Sequence, residues 1–520
     1  MRQAKNVLFI MADQLRADHL GCYGHPFIRT PNIDALAKRG VQFDRAFVNS
    51  GVCGPSRMSY YTGRYPSTHG ATWNRVPLSV GEVTMGEYLR ESGRKLVLAG
   101  KTHVMVDHAG LERLALDGGS ELGRLLSSGG FEEIDRYDGH HEPGDESGYP
   151  AYLCRQGYVS DDPWTDFVIS AQGPEGKTVS GWNMRNAGYP SLVKDEHSET
   201  AYMTDQALGF MKQQGDEPWV MHLSYVKPHW PYIAPAPYHA MYSVDQCLPV
   251  VRSEEERSNA HPVVAAYRQQ EESVSFSMDE CIRTVRPAYQ GLITQLDDHL
   301  GRLFDYMQQA GLMDNTLIVF TADHGDFLGD HWLGEKELFY DTVQRVPFIV
   351  VDPSEAADAT RGSIESKMVE SVDVLPTILD WLGLSLPMHR LEGRSLLPLL
   401  HGQQVAWRDC VFSELDYSYR QSRLLVGKTP QNARAWSVRT DRWRYVYWMD
   451  EPEQLYDLHA DPNQFHDLGD DPSYLQVRAE CRERLLAWFA GLKRRTTVSL
   501  EEVERGTNAY KKAGVFFGQW

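Results

Sequence analysis

The chain has 520 residues, 42% of them hydrophobic and 24% charged; this is a globular composition, too long for one small core, and one large domain with a smaller companion is expected. A net charge of −19 and a pI near 5.5 argue against a nucleic-acid partner, because phosphate backbones are bound by basic surfaces. Seven scattered cysteines (Cys22, Cys53, Cys154, Cys247, Cys281, Cys410, Cys481), odd in number and without a Cys-x-x-Cys pair, argue against a disulfide framework and for a reducing, cytoplasmic setting.

Asn6 to Ala12 reads as a buried first strand; the apolar run is too short to span a membrane and has no small-residue cleavage site before Asp13. No other run approaches membrane-spanning length, so a soluble protein with no membrane partner is expected. Thr30 to Gly40 predicts a helix with a Thr N-cap, Pro at its first position and Gly past its end. Gly51 to Gly63 reads as a loop feeding a helix from about Pro55, which sets Cys53 at a helix N-terminus. Thr84 and Glu87 make a capping box for a helix running to Gly93, and Lys95 to Ala99 is the next strand.

Residues from about 107 to 191 are rich in Gly, Ser, Asp and Tyr with weak periodicity, and predict an irregular, functional insertion. Helices at Glu199 to Lys212 and Arg286 to Ala310 then alternate with strands at Trp219 to Val226, Thr316 to Thr321 and Val346 to Val351. The pattern predicts an α/β domain over residues 1–400, a large, mostly parallel sheet flanked by helices. Residues 401–520 change character: Val411 to Glu414, Ala435 to Arg439 and Trp443 to Trp448 read as antiparallel strands and Tyr474 to Leu492 as a helix, a smaller C-terminal α+β part. The aromatic tail Ala513 to Trp520 either folds back or makes a subunit contact, so a homo-oligomer is expected.

Ligands of open α/β sheets gather at the carboxyl ends of the strands. Asp13-Gln14 follows the first strand, and Asp323-His324 follows the strand at 316–321. Each pair supplies one carboxylate and one neutral donor, together an oxygen-rich site for a divalent cation. Cys53 at its helix N-terminus lies where backbone N–H groups favour negative charge, and Arg57, a turn later, can reach back to it. Taken singly, each of these residues has an ordinary reading, the cysteine as a small buried hydrophobe and the others as satisfied or solvated polar groups.

Cys53-Gly54-Pro55-Ser56-Arg57 carries the Cys-x-Pro-Ser-Arg pattern of the type I sulfatases. With Asn6 to Gln14, Thr30 to Asp34, Gly100 to His103, Lys227 to His229, Asp323 to Asp326 and Gln454 to Leu458, all in the family's order, the chain resembles a formylglycine-dependent sulfatase of the alkaline phosphatase-like superfamily over nearly its whole length. The resemblance implies that Cys53 is oxidised to formylglycine by a formylglycine-generating enzyme or similar maturation partner. It implies a divalent metal held by Asp13, Gln14, Asp323, His324 and the modified Cys53, with Arg57 stabilising the modified residue. Lys101, His103, His229 and Lys336 would surround the sulfate and its leaving oxygen, and Asn74 would lie nearby.

The implied mechanism is hydration of the aldehyde to a geminal diol, attack of one hydroxyl on sulfur, and release of sulfate when the second is deprotonated. Asp323 would accept the nucleophile's proton, and His229 or Lys336 would protonate the leaving group. Such a cationic pocket would admit a small anionic sulfate ester into an acidic protein. Gln14 and His324 depart from the commoner Asp and Asn and resemble the subgroup of choline sulfatases and phosphonate monoester hydrolases or phosphodiesterases. This donor set shifts the expected metal to Mn²⁺, with Ca²⁺ and Mg²⁺ as alternatives. Lys101 and His103 match the sulfatase pattern, so aryl sulfate monoesters are the expected substrates; phosphonate or phosphodiester hydrolysis is the alternative, and an anion-binding protein with unmodified Cys53 a third. Leaving-group specificity is expected from the 107–191 insertion and from Trp73, Trp230 and Tyr232.

Overall fold

Eight strands of the computed structural model form the main sheet: β1 (Asn6–Ala12), β2 (Val41–Phe43), β3 (Leu96–Gly100), β4 (Phe131–Arg136), β5 (Val220–Tyr225), β6 (Thr316–Ala322), β7 (Phe348–Val351) and β8 (Ser363–Glu365). The structure describes residues 5–139 and 147–516. His140, His141 and the last four residues of the aromatic tail lie outside that range. The spatial order is β8-β2-β7-β6-β1-β5-β3-β4. β1 is central, parallel to both neighbours and buried at all seven positions, which explains its continuous apolar run. β7 is antiparallel to both β6 and β2, so the sheet is mixed but mostly parallel.

Register positions the chemistry. Ala12 of β1 pairs with Ala322 of β6, so Asp13 and Asp323 leave adjacent strand ends side by side. Gly100 of β3 pairs with Ser224 of β5, which brings Lys101 to the same edge. Gly100 has φ +109°, and a Cβ there would lie 1.9 Å from the Ser224 carbonyl oxygen, so no larger residue fits this approach.

Helices cover the sheet, among them α1 (Pro31–Arg39), α2 (Cys53–Thr62), α3 (Met85–Glu91), α4 (Glu199–Gln214) and α5 (Asp279–Gln309). The Thr84–Glu87 capping box forms as read from the chain. Thr30 does not cap α1; its hydroxyl accepts from the Gly21 amide at 2.9 Å and donates to Asp34 at 3.1 Å, tying two loops together instead. α5 begins seven residues before the Arg286 expected from periodicity and carries Pro287 inside it; burial of Cys281, Ile282 and Val285 outweighs the missing N–H.

In its described residues the region 107–191 forms more regular structure than its composition implies. It supplies β4, an edge strand of the main sheet, and a small hairpin, Ser170–Gln172 with Thr178–Ser180. Its weak periodicity reflects short elements packed on a large neighbour. After residue 400 come four antiparallel strands, β9 (Cys410–Asp416), β10 (Arg434–Thr440), β11 (Trp443–Trp448) and β12 (Gln454–Asp457), with α6 (Leu475–Gly491) packed on them. All seven cysteines are free thiols. Among the described residues no helix is long and apolar enough to cross a membrane.

Candidate active site

α2 starts at Cys53 itself, two residues earlier than expected, and every residue in it is buried. The Gly54 amide donates to Asn74 Oδ1 at 2.8 Å, so Asn74 caps this helix start. A Cβ on Gly54 would lie 2.9 Å from that oxygen. Ser56 Oγ donates to the Asp323 carbonyl at 2.6 Å, pinning α2 to the end of β6.

Arg57 is fully buried and joins four elements. Its Nε donates to Asp323 Oδ2 at 2.7 Å, its two terminal nitrogens to the Lys101 carbonyl at 2.9 Å, Ser224 Oγ at 2.8 Å and Asp13 Oδ2 at 3.2 Å. Lys101 Nζ is 2.6 Å from the same Asp13 oxygen. Cys53 Sγ faces this group, 3.1 Å from His324 Nε2, 3.2 Å from Lys336 Nζ and 3.9 Å from Asp13 Oδ1. Lys336 Nζ also donates to His229 Nε2 at 3.0 Å and Gln14 Oε1 at 3.2 Å. His229 Nδ1 bonds the Trp230 carbonyl at 2.8 Å, which makes Nδ1 the protonated nitrogen and leaves Nε2 to accept.

The charges are mutually matched. Burial raises the Asp13 carboxyl, but Lys101, Arg57 and His324 outweigh it and hold it well below the usual range. Burial and Asp13 push the Cys53 thiol up, and Lys336, His324 and Lys101 bring it down below its ordinary value. Burial, then Lys336, depress His229, which is therefore neutral. His324 is raised to about 9 against its burial by Asp323 and Cys53.

One ligand atom each from Asp13, Cys53, Asp323 and His324 lies within 4.8 Å of all the others. Gln14 turns into the same space with φ +63°, a left-handed bend that Tyr289 secures by donating to its carbonyl at 2.7 Å. Two carboxylates, an amide oxygen and an imidazole fit a hard to borderline divalent cation. A ligating imidazole is neutral, so a bound cation would displace the His324 proton.

A model of the family described as Sulfatase matches residues 5–384. The chain belongs to the sulfatase family. A second model, the C-terminal region of N-sulphoglucosamine sulphohydrolase, matches residues 329–490. This sulfatase-family chain is 34% identical to the multifunctional alkaline phosphatase superfamily protein PehA of Trinickia caryophylli, over 93% of this chain and 95% of that one. It is 26% identical to an arylsulfatase of Clostridium perfringens, over 94% of each. Among solved structures it superposes on the phosphonate monoester hydrolase of Silicibacter pomeroyi with TM-score 0.83 and 30% identity, covering 96% of this chain and 98% of that one.

Other residues of this candidate site were not singled out from the chain for the roles they take. Asp326 Oδ2 accepts from Gln14 Nε2 at 2.5 Å and from Tyr232 OH at 2.6 Å, so it fixes which end of the Gln14 amide faces inward. Ser224 had only its place at a strand end to mark it. His103 lies half-buried at φ +58°, its amide donating to Asp138 at 3.1 Å, at the outer end of the run that begins with Lys101. His19, His69 and His331 bond Asp18, Ser59 and Glu256, in keeping with structural roles.

A cavity of about 710 Å³ adjoins the site, lined by residues 180–185 of the insertion together with Trp230, Tyr232 and Glu335. Trp230 forms the shared wall: its ring is 4.4 Å from that of His229 and 6.0 Å from Lys336 Nζ. Trp73 is instead buried in the core, stacked on Tyr419; it packs and does not line the cavity.

Proposed function

We propose that this protein hydrolyses sulfate monoesters, with aryl sulfates as the preferred class, through a formylglycine made from Cys53 and a divalent cation on Asp13, Gln14, Asp323 and His324. The observation that carries this reading is the convergence on Cys53 Sγ of Lys336 and His324 at 3.1–3.2 Å, beside two carboxylates tied to one buried arginine. When present, the aldehyde hydrate supplies the nucleophilic oxygen and the cation lowers its pKa.

The chain's own residues do the rest. Arg57 orients Asp13 and Asp323 and helps keep Asp13 charged. Lys101 and Lys336 supply fixed positive charge for the anion's peripheral oxygens. In the unmodified protein burial disfavours the Lys336 charge, but Cys53, Glu335 and Asp13 raise its pKa overall. Its Nζ, 3.2 Å from Cys53 Sγ, is placed to donate a proton to the leaving oxygen, and neutral His229 orients it through Nε2 at 3.0 Å. Maturation requires a formylglycine-generating partner.

A second reading, hydrolysis of phosphonate monoesters or phosphodiesters at the same centre, is favoured by the Gln14–His324 donor pair and by the likeness to phosphonate monoester hydrolases. The test compares kcat/KM for 4-nitrophenyl sulfate and a 4-nitrophenyl phenylphosphonate, with mass spectrometry of the Cys53 peptide from the same protein. Preference for the sulfate by modified protein supports the first reading; preference for the phosphonate replaces it with the second. An intact thiol without turnover in protein from its native host defeats both.

A further inference from the structure

The cavity beside the reacting centre has a chemistry of its own. Trp182 from the insertion and Trp230 meet at 5.0 Å with planes at 61°, forming an aromatic corner, and Trp182 is 46% exposed. Facing them are four carboxylates, Glu271, Glu272, Glu280 and Glu335, against a single lining cation, Arg185. Glu272 is engaged by Arg420. Glu335 is different: it is half-buried, and among the described residues its carboxylate makes no hydrogen bond or ion pair, although its charge acts on Lys336 and Arg420.

Glu335 immediately precedes Lys336, so it stands where a leaving group enters the cavity from the reacting centre. A tryptophan face attracts cations through its quadrupole, and a half-buried carboxylate repels an anion more strongly than a solvated one. The reacting centre is cationic and the adjoining chamber acidic, so the two halves of a substrate are sorted by opposite charge.

We propose that the cavity receives an aromatic leaving group that is neutral or carries a cationic substituent, that Glu335 makes this selection, and that alcohols bearing further anionic groups, such as multiply sulfated saccharides, are disfavoured. This rests on the function proposed above and names the leaving-group half of its substrate. Glu335 is a specificity residue, and its effect is read as a ratio between substrates.

The test uses three phenyl esters with matched leaving groups, carrying at the para position trimethylammoniomethyl, its uncharged neopentyl isostere, and carboxymethyl. They are prepared as sulfates and as phenylphosphonates. The expected order of kcat/KM is cationic, then neutral, then anionic, with about 30-fold between the extremes, roughly the effect of one cation–π contact with one partly screened charge. Glu335→Gln should shrink the cation-to-anion ratio at least about fivefold, and Trp182→Ala should lower turnover of the cationic and neutral esters alike. Calorimetric titration of benzyltrimethylammonium against phenylacetate gives a readout independent of turnover. Tighter binding of the cation, weakened by Glu335→Gln, supports the proposal even if no ester is hydrolysed, in which case the functional reading fails and the selection stands. Equal binding of the two ions, or a ratio unchanged by Glu335→Gln in folded protein, overturns it.

Discussion

The Cys53 cluster and the Trp182–Trp230 cavity share a wall yet are built on opposite principles. In the cluster, each carboxylate is met by cations from a different element: Asp13 from β1 meets Arg57 from α2 and Lys101 from β3. In the cavity, the lining comes from loops and exposed helix faces, and Glu335 stands without a partner among the described residues. Chemistry needs charge fixed before substrate arrives, which a rigid sheet edge and a buried arginine provide. Selection needs charge still available to the substrate, which the loop carrying Glu335 provides.

The comparison breaks most completely at Cys53. Cys53→Ala should lower kcat/KM by at least about 10⁴-fold, as removal of a nucleophile does, while the thermal midpoint moves by only a few degrees; similar turnover in the variant would show that the cluster is not the reacting centre. Arg57→Met comes next. It leaves Asp13 and Asp323 buried without their arginine, and chemical denaturation should register a loss of about 3–5 kcal/mol. A variant as stable as the parent would show that the carboxylates find other partners. Asp326→Asn should weaken divalent-metal affinity by about 10- to 100-fold, because Asp326 would act through the Gln14 amide it holds and lies outside the Asp13, Cys53, Asp323 and His324 group. Titration of metal-stripped protein with Mn²⁺ or Ca²⁺ measures this directly, and unchanged affinity would remove Gln14 from the ligand set.

The smallest effect sharpens the contrast from outside both regions. Glu414 is buried, like Asp13, but faces Ser67 and Trp436 rather than cations. Burial therefore wins, and its carboxyl is pushed up from 4.5 to about 7. The folded state prefers its neutral form, so this contribution is complete below pH 4.5 and is lost as pH rises through about 7, a swing on the order of 3 kcal/mol. In Glu414→Gln the pH dependence of unfolding free energy should flatten over that window. An unchanged slope would show that Glu414 is solvated in the folded protein.

Much of the centre was legible in the chain because its parts sit at marked positions. Asp13, Lys101 and Asp323 each follow an apolar strand, and Cys53 and Arg57 lie one turn apart in a single motif. Asp326, Ser224 and Tyr232 were not legible in those roles: their work is to hold another residue, and a partner in space leaves no local pattern. Tyr232, expected among leaving-group aromatics, does line the cavity, but its hydroxyl serves Asp326. Trp73 looked equally suited to the cavity and packs in the core. The 107–191 region misled in the other direction, because β4 borrows its stability from β3 and needs no periodicity of its own.

Apolar runs, caps and the ordered motifs along the chain were enough to establish the class of fold, the strand ends and the residue types gathered there, since these depend on interactions within a few residues of sequence. Only the tertiary structure decided that Arg57 joins four elements, that Asn74 caps the Cys53 helix and that Glu335 lines an aromatic cavity. Those facts depend on sheet register and helix docking, where residues hundreds of positions apart come within 3 Å and burial turns their charges into strong, mutual constraints.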